Sequence, residues 1–255
     1  MYDSAKIARG LTNGEFTMKC VLKTTVAALL ASCVAFSAQA AGPKVPYSQP
    51  GIDMRTNEAQ QAPIHWVSIE QIKESIKDLP PMAVSFDIDD TVAASSGCFH
   101  YGKQKYSPND YSYLKNQDFW DEINAGCDKY SLPKQVAIDL IKMHQERGDQ
   151  VYLITGRTAG KDDQVTPIME KNLGIKNMQP VNFMGGKEHS TKYDKTPAIL
   201  EHKVQIHYGD SDDDILAARE AGIRGIRILR AANSNYTPFP QAGGYGEEVI
   251  VNSSY

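Results

Sequence analysis

The chain of 255 residues is long enough to enclose one substantial hydrophobic core, so a single domain with insertions is the expected organisation. Hydrophobic residues make up 41% and charged residues 23% of the chain, which is ordinary for a soluble globular protein. The net charge of −4 lacks the basic excess of proteins that bind nucleic-acid polymers, and no such partner is expected.

Residues 1–40 predict a short extension followed by a secretory signal peptide. Two lysines precede a mostly apolar run over 24–36, and an A-x-A sequence at 38–40 predicts cleavage near Ala40/Ala41. The alternatives are a membrane anchor and a lipoprotein cleavage box at Cys33. The apolar run is short for a membrane span, and the residues after Cys33 stay apolar instead of forming a polar tether. We therefore expect no membrane attachment after cleavage.

The remainder of the chain divides into an arm and one domain. Residues 41–63 are rich in Pro, Gln and Asn and predict an extended N-terminal arm. The domain is expected over 64–255. Within it, residues 95–132 are rich in Tyr, Asn, Lys and Ser and lack a long periodic pattern. We interpret this segment as a small cap-like insertion after the first catalytic strand.

Strands alternate with helices through the domain. A helix begins after Ser68, where S-I-E-Q forms a capping box with Gln71, and a buried strand over 82–86 follows. A later helix is predicted with Pro133 in its first turn and Gly148 as its stop. Further strands are predicted over 151–155, 181–184, 204–208 and 225–229.

This alternation predicts an α/β fold, with a Rossmann-like, mostly parallel sheet covered by helices on both faces. Ligands bind such sheets at the carboxyl ends of the strands. The C-terminal sequence EEVIVNSSY predicts one more strand, without an obvious pairing partner, that could reach another subunit.

Clustered aspartates follow two of the predicted strands, in FDIDDTV (86–92) and GDSDDD (209–214). Carboxylates this close repel one another unless a hard cation such as Mg²⁺ lies among them. Asp87 and Asp210 could hold that cation, and Asp87 could then attack a phosphoryl group. Asp89, two residues further on, could protonate the leaving alkoxide and later deprotonate water. For Asp90 a helix-capping role is expected.

A phosphate group also needs hydrogen-bond donors. The Thr155 hydroxyl and the Gly156 amide, after the next strand, are candidates because glycine allows close backbone approach. Lys187, Lys192 and Lys195 are candidate cations, and we favour Lys195 because it precedes Thr196-Pro197, a typical helix start. Arg157 could bind phosphate with two hydrogen bonds or could be an exposed structural arginine.

Two cysteines, Cys98 and Cys127, remain after signal cleavage. In an oxidising compartment they could form a disulfide, which would constrain the unfolded chain by roughly 3–4 kcal/mol. Two free buried thiols are the alternative.

The conjunction of these sequences resembles the haloacid-dehalogenase-like superfamily of phosphohydrolases with an aspartate nucleophile. FDIDDTV is similar to its first motif, Thr155 to the second, Lys195 to the third and GDSDDD to the fourth. Longer stretches from 62 to 255, such as YGDSDDDILAAREAGIRGIRILRAANSNY, resemble bacterial class B acid phosphatases. The loop GGKEHSTKYDK departs from the family pattern.

The resemblance implies a periplasmic, broad-specificity phosphomonoesterase that uses one Mg²⁺ per subunit and an aspartyl-phosphate intermediate. It implies activity on nucleoside monophosphates and aryl phosphates, phosphate transfer to alcohols, and a homotetramer. Asp87, Asp89 and Asp210 are the implied metal ligands, Asp89 through its backbone carbonyl, and Asp214 would support the waters of the metal. An aromatic substrate pocket maps onto Phe99, Leu114, Trp120 and Tyr236. From the residues alone, these four side chains could equally form a satellite core.

Three other functions compete with this one. A dehalogenase needs no acid for an alcohol leaving group, so Asp89 argues against it. A phosphonate hydrolase would need a cap lysine for a Schiff base, and no clear candidate is present. A secreted protein that binds nucleotide or metal without turnover is the alternative from another class, and the pair of Asp87 and Asp89 argues against it.

Overall fold

The computed structural model describes residues 64–255. The extension, signal peptide and arm predicted over 1–63 lie outside these residues. None of the helices within 64–255 has the length and apolar composition that crossing a membrane requires.

A sheet of seven strands forms the centre of the domain, and every neighbouring pair within it is parallel. Its order is β1-β9-β8-β7-β2-β5-β6. The strands of the sheet are β1 (His65–Val67), β2 (Ala83–Phe86), β5 (Gln150–Thr158), β6 (Asn182–Gly185), β7 (Val204–Gly209), β8 (Arg224–Arg227) and β9 (Glu248–Ile250). Two more strands, β3 (Ala93–Ala94) and β4 (Leu132–Pro133), pair antiparallel with each other. The α/β fold expected from the sequence is confirmed.

Seven α-helices connect the strands within the described residues. They are α1 (Ile69–Ile76), α2 (Ser96–Tyr106), α3 (Gln117–Asn124), α4 (Gln135–Arg147), α5 (Val165–Leu173), α6 (Thr196–Glu201) and α7 (Asp212–Glu220). Short 3₁₀ helices cover Ser112–Lys115 and Cys127–Tyr130. Strand order reverses at β2, whose neighbours are β5 on one side and β7 on the other. In open α/β sheets this reversal opens a crevice at the carboxyl ends of the strands.

The ends of α1 and α4 follow from local sequence. Ser68 and Gln71 form the predicted capping box of α1, with reciprocal hydrogen bonds of 2.8 and 3.2 Å. Gly148 ends α4 in the left-handed conformation, at φ 84°, which favours glycine. The predicted start of α4 was wrong, because Pro133 belongs to β4 and Lys134 precedes the first helical turn.

The segment 95–132 leaves and re-enters the domain at one point, because β3 and β4 pair across its base. It contains α2, α3 and both 3₁₀ helices, and it has its own hydrophobic cluster around Phe119 and Trp120. Cys98 and Cys127 form a disulfide that joins α2 to the second 3₁₀ helix. Of the two alternatives left open by the sequence, the structure therefore contains the disulfide.

The expectation that the C-terminal strand lacks a partner within the chain was wrong. β9 pairs with β1 and with β8, and its Val249 and Ile250 are buried in the sheet. The alternating sequence was recognised correctly, but strand pairing between residues far apart in the chain is not visible from local pattern. This strand therefore gives no support to assembly with another subunit.

Candidate active site

Three carboxylates meet at the carboxyl ends of β2 and β7. Asp87 follows β2, Asp210 follows β7, and Asp214 lies in the first turn of α7. One oxygen from each lies within 4.8 Å of the others, and all three residues are buried. The Thr91 hydroxyl lies 3.2 Å from Asp87 Oδ2 and 3.1 Å from Asp210 Oδ1. Asp87 and Asp210 are thus close enough to share a cation, as the aspartate pattern predicted.

Local backbone features hold Asp87 and Asp214 in place. The Asp87 amide donates to the Tyr208 carbonyl at 2.9 Å, which ties the end of β2 to β7. Ser211 caps α7, and Asp214 closes the capping box from the third helical position. A Cβ atom on Gly209 would lie 2.2 Å from the Asp214 side chain, so this close packing requires glycine.

Two cations accompany the carboxylates. Lys195 Nζ lies 2.5 Å from Asp87 Oδ1 and also pairs with Asp214. Lys195 directly precedes α6, as predicted, and it is buried. Arg230 Nε lies 2.5 Å from Asp210 Oδ2. Among the three lysines proposed from the sequence, Lys195 is the one in contact with the carboxylates.

Burial and crowding shift the pKa values of these groups in opposite directions. Burial raises the pKa of Asp87 well above its ordinary value despite the charge of Lys195, and the neighbouring carboxylates add to the rise. Burial raises the pKa of Asp210 to about 6 against the opposing charge of Arg230. Burial would also raise the pKa of Asp214, but Lys195 and His207 hold it below its ordinary value. The three carboxylates therefore carry more negative charge than Lys195 and Arg230 neutralise.

This donor set fits a hard divalent cation. Carboxylate oxygens are the ligands that Mg²⁺ prefers, and extra positive charge among Asp87 and Asp210 would lower the electrostatic cost that raises their pKa values. The acidic cluster is therefore suited to the metal that the sequence predicted.

Thr155 and Gly156 lie in an irregular part of β5. The register between β5 and β6 shifts between Thr155 and Thr158, which is typical of bulges next to active sites. Gly156 lines the crevice, whereas the Thr155 side chain is fully buried and its hydroxyl accepts from the Arg157 amide at 3.2 Å. A Cβ atom on Gly185 would lie 2.1 Å from the Gly156 carbonyl oxygen, so β6 approaches this bulge closely.

Arg157 has partners that neither sequence-based alternative included. It is not exposed, because its buried guanidinium lies between the carboxylates of Asp89 and Asp128, although it also lines the crevice. Burial alone would raise the pKa of Asp89, but the charge and hydrogen bonds of Arg157 keep this pKa below its ordinary value. Arg157 thus neutralises a carboxylate at the edge of the crevice.

Asp90 does not cap a helix, contrary to expectation. Its backbone is in the left-handed region, at φ 59°, and its carboxylate accepts from the Ser234 hydroxyl at 2.6 Å. Lys134 donates to the Asp90 carbonyl at 2.9 Å. Asp90 Oδ2 also lies 3.7 Å from Arg230 Nε, so Asp90 shares with Asp210 the positive charge of Arg230.

A crevice of about 440 Å³ opens above the carboxylates. The four predicted pocket residues line it together with the catalytic candidates, and three of the four belong to the segment 95–132. These four residues are Phe99, Leu114, Trp120 and Tyr236. Four further residues contact the site residues but were not predicted from the sequence: Thr91, Asp128, Arg230 and His207. Thr91 belongs to the first aspartate sequence, FDIDDTV. The other three residues are not part of any sequence motif that indicates a site.

Comparison with known proteins agrees with this geometry. Residues 52–239 match the family model described as HAD superfamily, subfamily IIIB (Acid phosphatase). A class B acid phosphatase from Haemophilus influenzae is 64% identical over 239 residues, which cover 93% of this chain and 100% of the relative. One from Haemophilus parainfluenzae is 60% identical over 238 residues, with coverage of 93% and 100%.

A third relative extends the same result. The class B acid phosphatase of Aggregatibacter actinomycetemcomitans is 60% identical over 238 residues, again covering 93% of this chain and 100% of the relative. The parallel α/β sheet with its carboxylate cluster, the matched family model and these relatives all point to one family. The chain belongs to the class B acid phosphatases, enzymes of subfamily IIIB of the haloacid-dehalogenase superfamily.

Proposed function

We propose that the protein is a broad-specificity phosphomonoester hydrolase that acts through an aspartyl-phosphate intermediate on Asp87. The observation that carries this proposal is the convergence of Lys195 with Asp87 and Asp210, which follow two neighbouring strands. A buried carboxylate beside a buried ammonium is suited to receive a phosphoryl group, because the anionic ester finds positive charge at the point of attack.

One Mg²⁺ per subunit is proposed at this cluster. The carboxylates of Asp87 and Asp210 and the backbone carbonyl of Asp89 would hold it, and Asp214 would accept hydrogen bonds from its water ligands. When bound, the ion would neutralise charge on the phosphate oxygens and on the carboxylates together.

The chain's own residues then divide the reaction into two displacements. An oxygen of Asp87 attacks phosphorus, the bond between phosphorus and the ester oxygen breaks, and Asp89 gives its proton to the leaving alkoxide. In the second displacement Asp89 takes a proton from water, and that oxygen attacks the aspartyl phosphate. The bond from phosphorus to Asp87 breaks, which releases phosphate and restores both carboxyl groups. An alcohol in place of water would give phosphate transfer.

Thr155, Gly156 and Lys195 are proposed to hold the phosphate group. Gly156 lines the crevice and offers an amide without a side chain in the way. Lys195 is buried beside Asp87, where its pKa is raised because Asp214 and Asp87 outweigh the effect of burial. Lys195 therefore stays protonated as an ammonium and can form an ion pair with the phosphate.

The leaving group is proposed to stack in the aromatic part of the crevice. Phe99 and Trp120 meet edge to face, with ring centroids 6.1 Å apart, and both line the crevice. Tyr236, which is 42% exposed, lines it as well. Flat nucleobase and aryl groups match such a surface, so nucleoside monophosphates and aryl phosphates are the proposed substrates.

Turnover of p-nitrophenyl phosphate at pH 6, with and without EDTA, tests this function. We expect turnover that EDTA abolishes and Mg²⁺ restores. Tight binding of nucleotide or metal with no turnover would instead support the alternative, a secreted binding protein. The Asp87→Asn variant separates the two, because it removes the nucleophile and leaves the crevice in place.

Location and assembly are also part of the proposal. The sequence over 1–40 supports export through a cleaved signal peptide, and the resemblance to class B acid phosphatases implies a periplasmic enzyme that assembles as a homotetramer. N-terminal sequencing of the protein from a periplasmic extract should begin at Ala41. Light scattering of the purified protein should give four times the mass of the mature chain.

A further inference from the structure

Two polar residues from distant parts of the chain, Ser96 and Asn235, meet at the wall of the crevice. Ser96 is the first residue of α2, and Asn235 lies in the loop between β8 and β9. The Asn235 backbone amide donates to Ser96 Oγ at 3.3 Å, and the Asn235 side-chain amide donates to the Ser96 carbonyl at 3.1 Å. Both residues are half-buried and line the crevice. The two hydrogen bonds therefore hold these residues side by side.

These contacts leave both side chains with unused hydrogen-bonding capacity. A serine hydroxyl can donate one hydrogen bond, and a carboxamide oxygen can accept two. In the hydrogen bonds formed within residues 64–255, the Ser96 hydroxyl acts as an acceptor and the Asn235 side chain as a donor. The Asn235 carboxamide oxygen has no partner among these residues, yet it is not closed off from solvent. The crevice wall thus carries an unused donor next to an unused acceptor.

The pair of Ser96 and Asn235 adjoins the carboxylate cluster on one side and the aromatic side chains on the other. Arg230 Nε lies 2.5 Å from Asp210 Oδ2, and Nη1 of the same guanidinium donates to the Tyr236 carbonyl at 2.9 Å. The loop that carries Asn235 therefore passes directly beside the Asp210 carboxylate. Ser96 lies three residues before Phe99 on α2, and positions three apart share one face of a helix.

A nucleoside 5′-monophosphate presents its chemical groups in the same order. Its phosphate is joined to a ribose and the ribose to a base, so the sugar lies between the reacting phosphorus and the flat ring. The 2′ and 3′ hydroxyls of ribose are neighbours, and each can donate and accept a hydrogen bond. With the phosphate at Asp87 and the base against Phe99, the sugar would lie at Ser96 and Asn235.

We propose that Ser96 and Asn235 form a sugar subsite, in which the Ser96 hydroxyl donates to one ribose hydroxyl and the Asn235 carboxamide oxygen accepts from the neighbouring one. The inference rests on the proposed function, because it takes nucleoside monophosphates as substrates. It adds a substrate preference, for ribose with both hydroxyls over deoxyribose. The subsite acts through binding alone, since neither side chain is placed at the phosphorus.

The wild-type enzyme gives the first test. AMP, 2′-deoxy-AMP, 3′-deoxy-AMP and 2′,3′-dideoxy-AMP share the base and the ester bond that is cleaved, so they differ in the two hydroxyls alone. We expect kcat/KM to be about three- to tenfold higher for AMP than for dideoxy-AMP, as one or two neutral hydrogen bonds would give. The two monodeoxy compounds should lie between them. Equal values for AMP and dideoxy-AMP would overturn the inference, whether or not any variant folds.

Two variants assign the preference to the subsite. Asn235→Ala removes the acceptor and keeps the backbone amide that holds Ser96, whereas Ser96→Ala removes the donor. Each should bring the ratio of kcat/KM for AMP to that for dideoxy-AMP closer to one, through a loss on AMP, because the dideoxy compound has no hydroxyl to bind. Asn233→Ala, at an exposed position of the same loop outside the crevice lining, is the matched control and should keep the wild-type ratio.

Two results with these variants would contradict the inference. An equal loss on AMP and dideoxy-AMP would mean that Ser96 and Asn235 only support the fold. A wild-type ratio in both variants would mean that the hydroxyls are recognised elsewhere.

The same assay separates the sugar subsite from the proposed function. If the enzyme hydrolyses p-nitrophenyl phosphate but none of the nucleotides, nucleoside monophosphates are not its substrates, and the subsite fails together with that part of the proposed function. If no ester is hydrolysed in the presence of Mg²⁺, the proposed hydrolase itself fails. If AMP is hydrolysed and the loss of its hydroxyls makes no difference, the sugar subsite fails alone.

Discussion

The two ends of the central sheet both bury charged side chains, but they balance these charges differently. At the amino-terminal end, Asp149 accepts from His144 Nδ1 at 2.7 Å, from Arg147 Nε at 3.0 Å and from the Met82 amide at 2.9 Å. His144 uses its other ring nitrogen to contact the Tyr208 hydroxyl at 2.8 Å. Every polar group in this cluster has a partner within the fold.

At the carboxyl-terminal end, the charges do not reach the same balance. Asp87, Asp210 and Asp214 share Lys195 and Arg230, and the pKa values of Asp87 and Asp210 are raised by burial and by neighbouring carboxylates. The first cluster is complete without a ligand, whereas the second gains from an added cation. Burial of charge alone therefore does not mark a functional site; an unfavourable balance of buried charge at a crevice does.

The largest effect should come from removing a carboxylate at the catalytic end. Asp87→Asn keeps the shape of the side chain but removes the nucleophile, so kcat for p-nitrophenyl phosphate should fall by more than about 10³-fold. Because Asp87 is held in an unfavourable charge environment, the free energy of unfolding should change little. Steady-state kinetics and urea unfolding of the same preparation test both statements. Retained turnover would place the nucleophile elsewhere.

The reverse result is expected at the amino-terminal end. Asp149→Asn leaves Arg147 and His144 without their buried acceptor, and breaking such a pair should lower the free energy of unfolding by about 3 kcal/mol. In the folded fraction kcat/KM should match the wild-type value. Urea unfolding followed by circular dichroism measures the loss, and Asp139→Asn, at an exposed position on α4, is the control. A loss of activity without loss of stability would remove the distinction between the two ends.

The sequence was sufficient to predict the strands of the central sheet except β1, and the aspartates that follow β2 and β7. Buried parallel strands are short apolar runs, and the carboxyl ends of such strands share one edge of the sheet, so Asp87 and Asp210 could be brought together without coordinates. The pairing of β9 with β1 could not be predicted, because it joins residues about 180 positions apart in the chain through backbone hydrogen bonds alone.

One helix of the insertion, α2, could not be predicted for a physical reason. α2 buries Cys98 and Gly102, and a Cβ atom on Gly102 would lie 2.0 Å from the Phe119 ring. The buried face of this helix is thus made by a glycine and a half-cystine, which give no periodic apolar pattern. Asp128 was missed because its partner, Arg157, lies 29 residues away and is not marked by any local sequence feature.

Asp87→Asn removes a negative charge from the catalytic end. Removing the Lys195 ammonium instead takes away a positive charge. Lys195→Ala should raise KM for every phosphate ester about 10–100-fold, because a hydrogen bond between charged groups is lost to each substrate. Lys187→Ala is the matched control, since Lys187 is exposed and is not part of the crevice lining. An unaffected Lys195→Ala enzyme would assign the phosphate contact to Lys192 or to another group.

The smallest effect should appear in the pH dependence of stability at the amino-terminal end. Burial lowers the pKa of His144, and the positive charges of Arg147 and Arg224 lower it further. The Asp149 carboxylate opposes this decrease only in part. Tyr208 faces the other side of its ring. The folded protein therefore keeps this imidazole neutral, while the unfolded chain takes up a proton near pH 6.5. Stability from His144 is complete above that pH and is lost as the pH falls through it.

Between pH 7.5 and 5.5 this loss should reach about 1 kcal/mol in the free energy of unfolding. Urea unfolding at both pH values measures it, and His144→Gln should reduce the difference between them by that amount. His100→Gln, at an exposed position in the insertion, should leave the difference unchanged. If both variants behave alike, His144 is protonated in the folded protein and pairs with Asp149 as a cation. The amino-terminal cluster would then be an ion pair of buried charges, and its difference from the catalytic cluster would rest on the number of carboxylates alone.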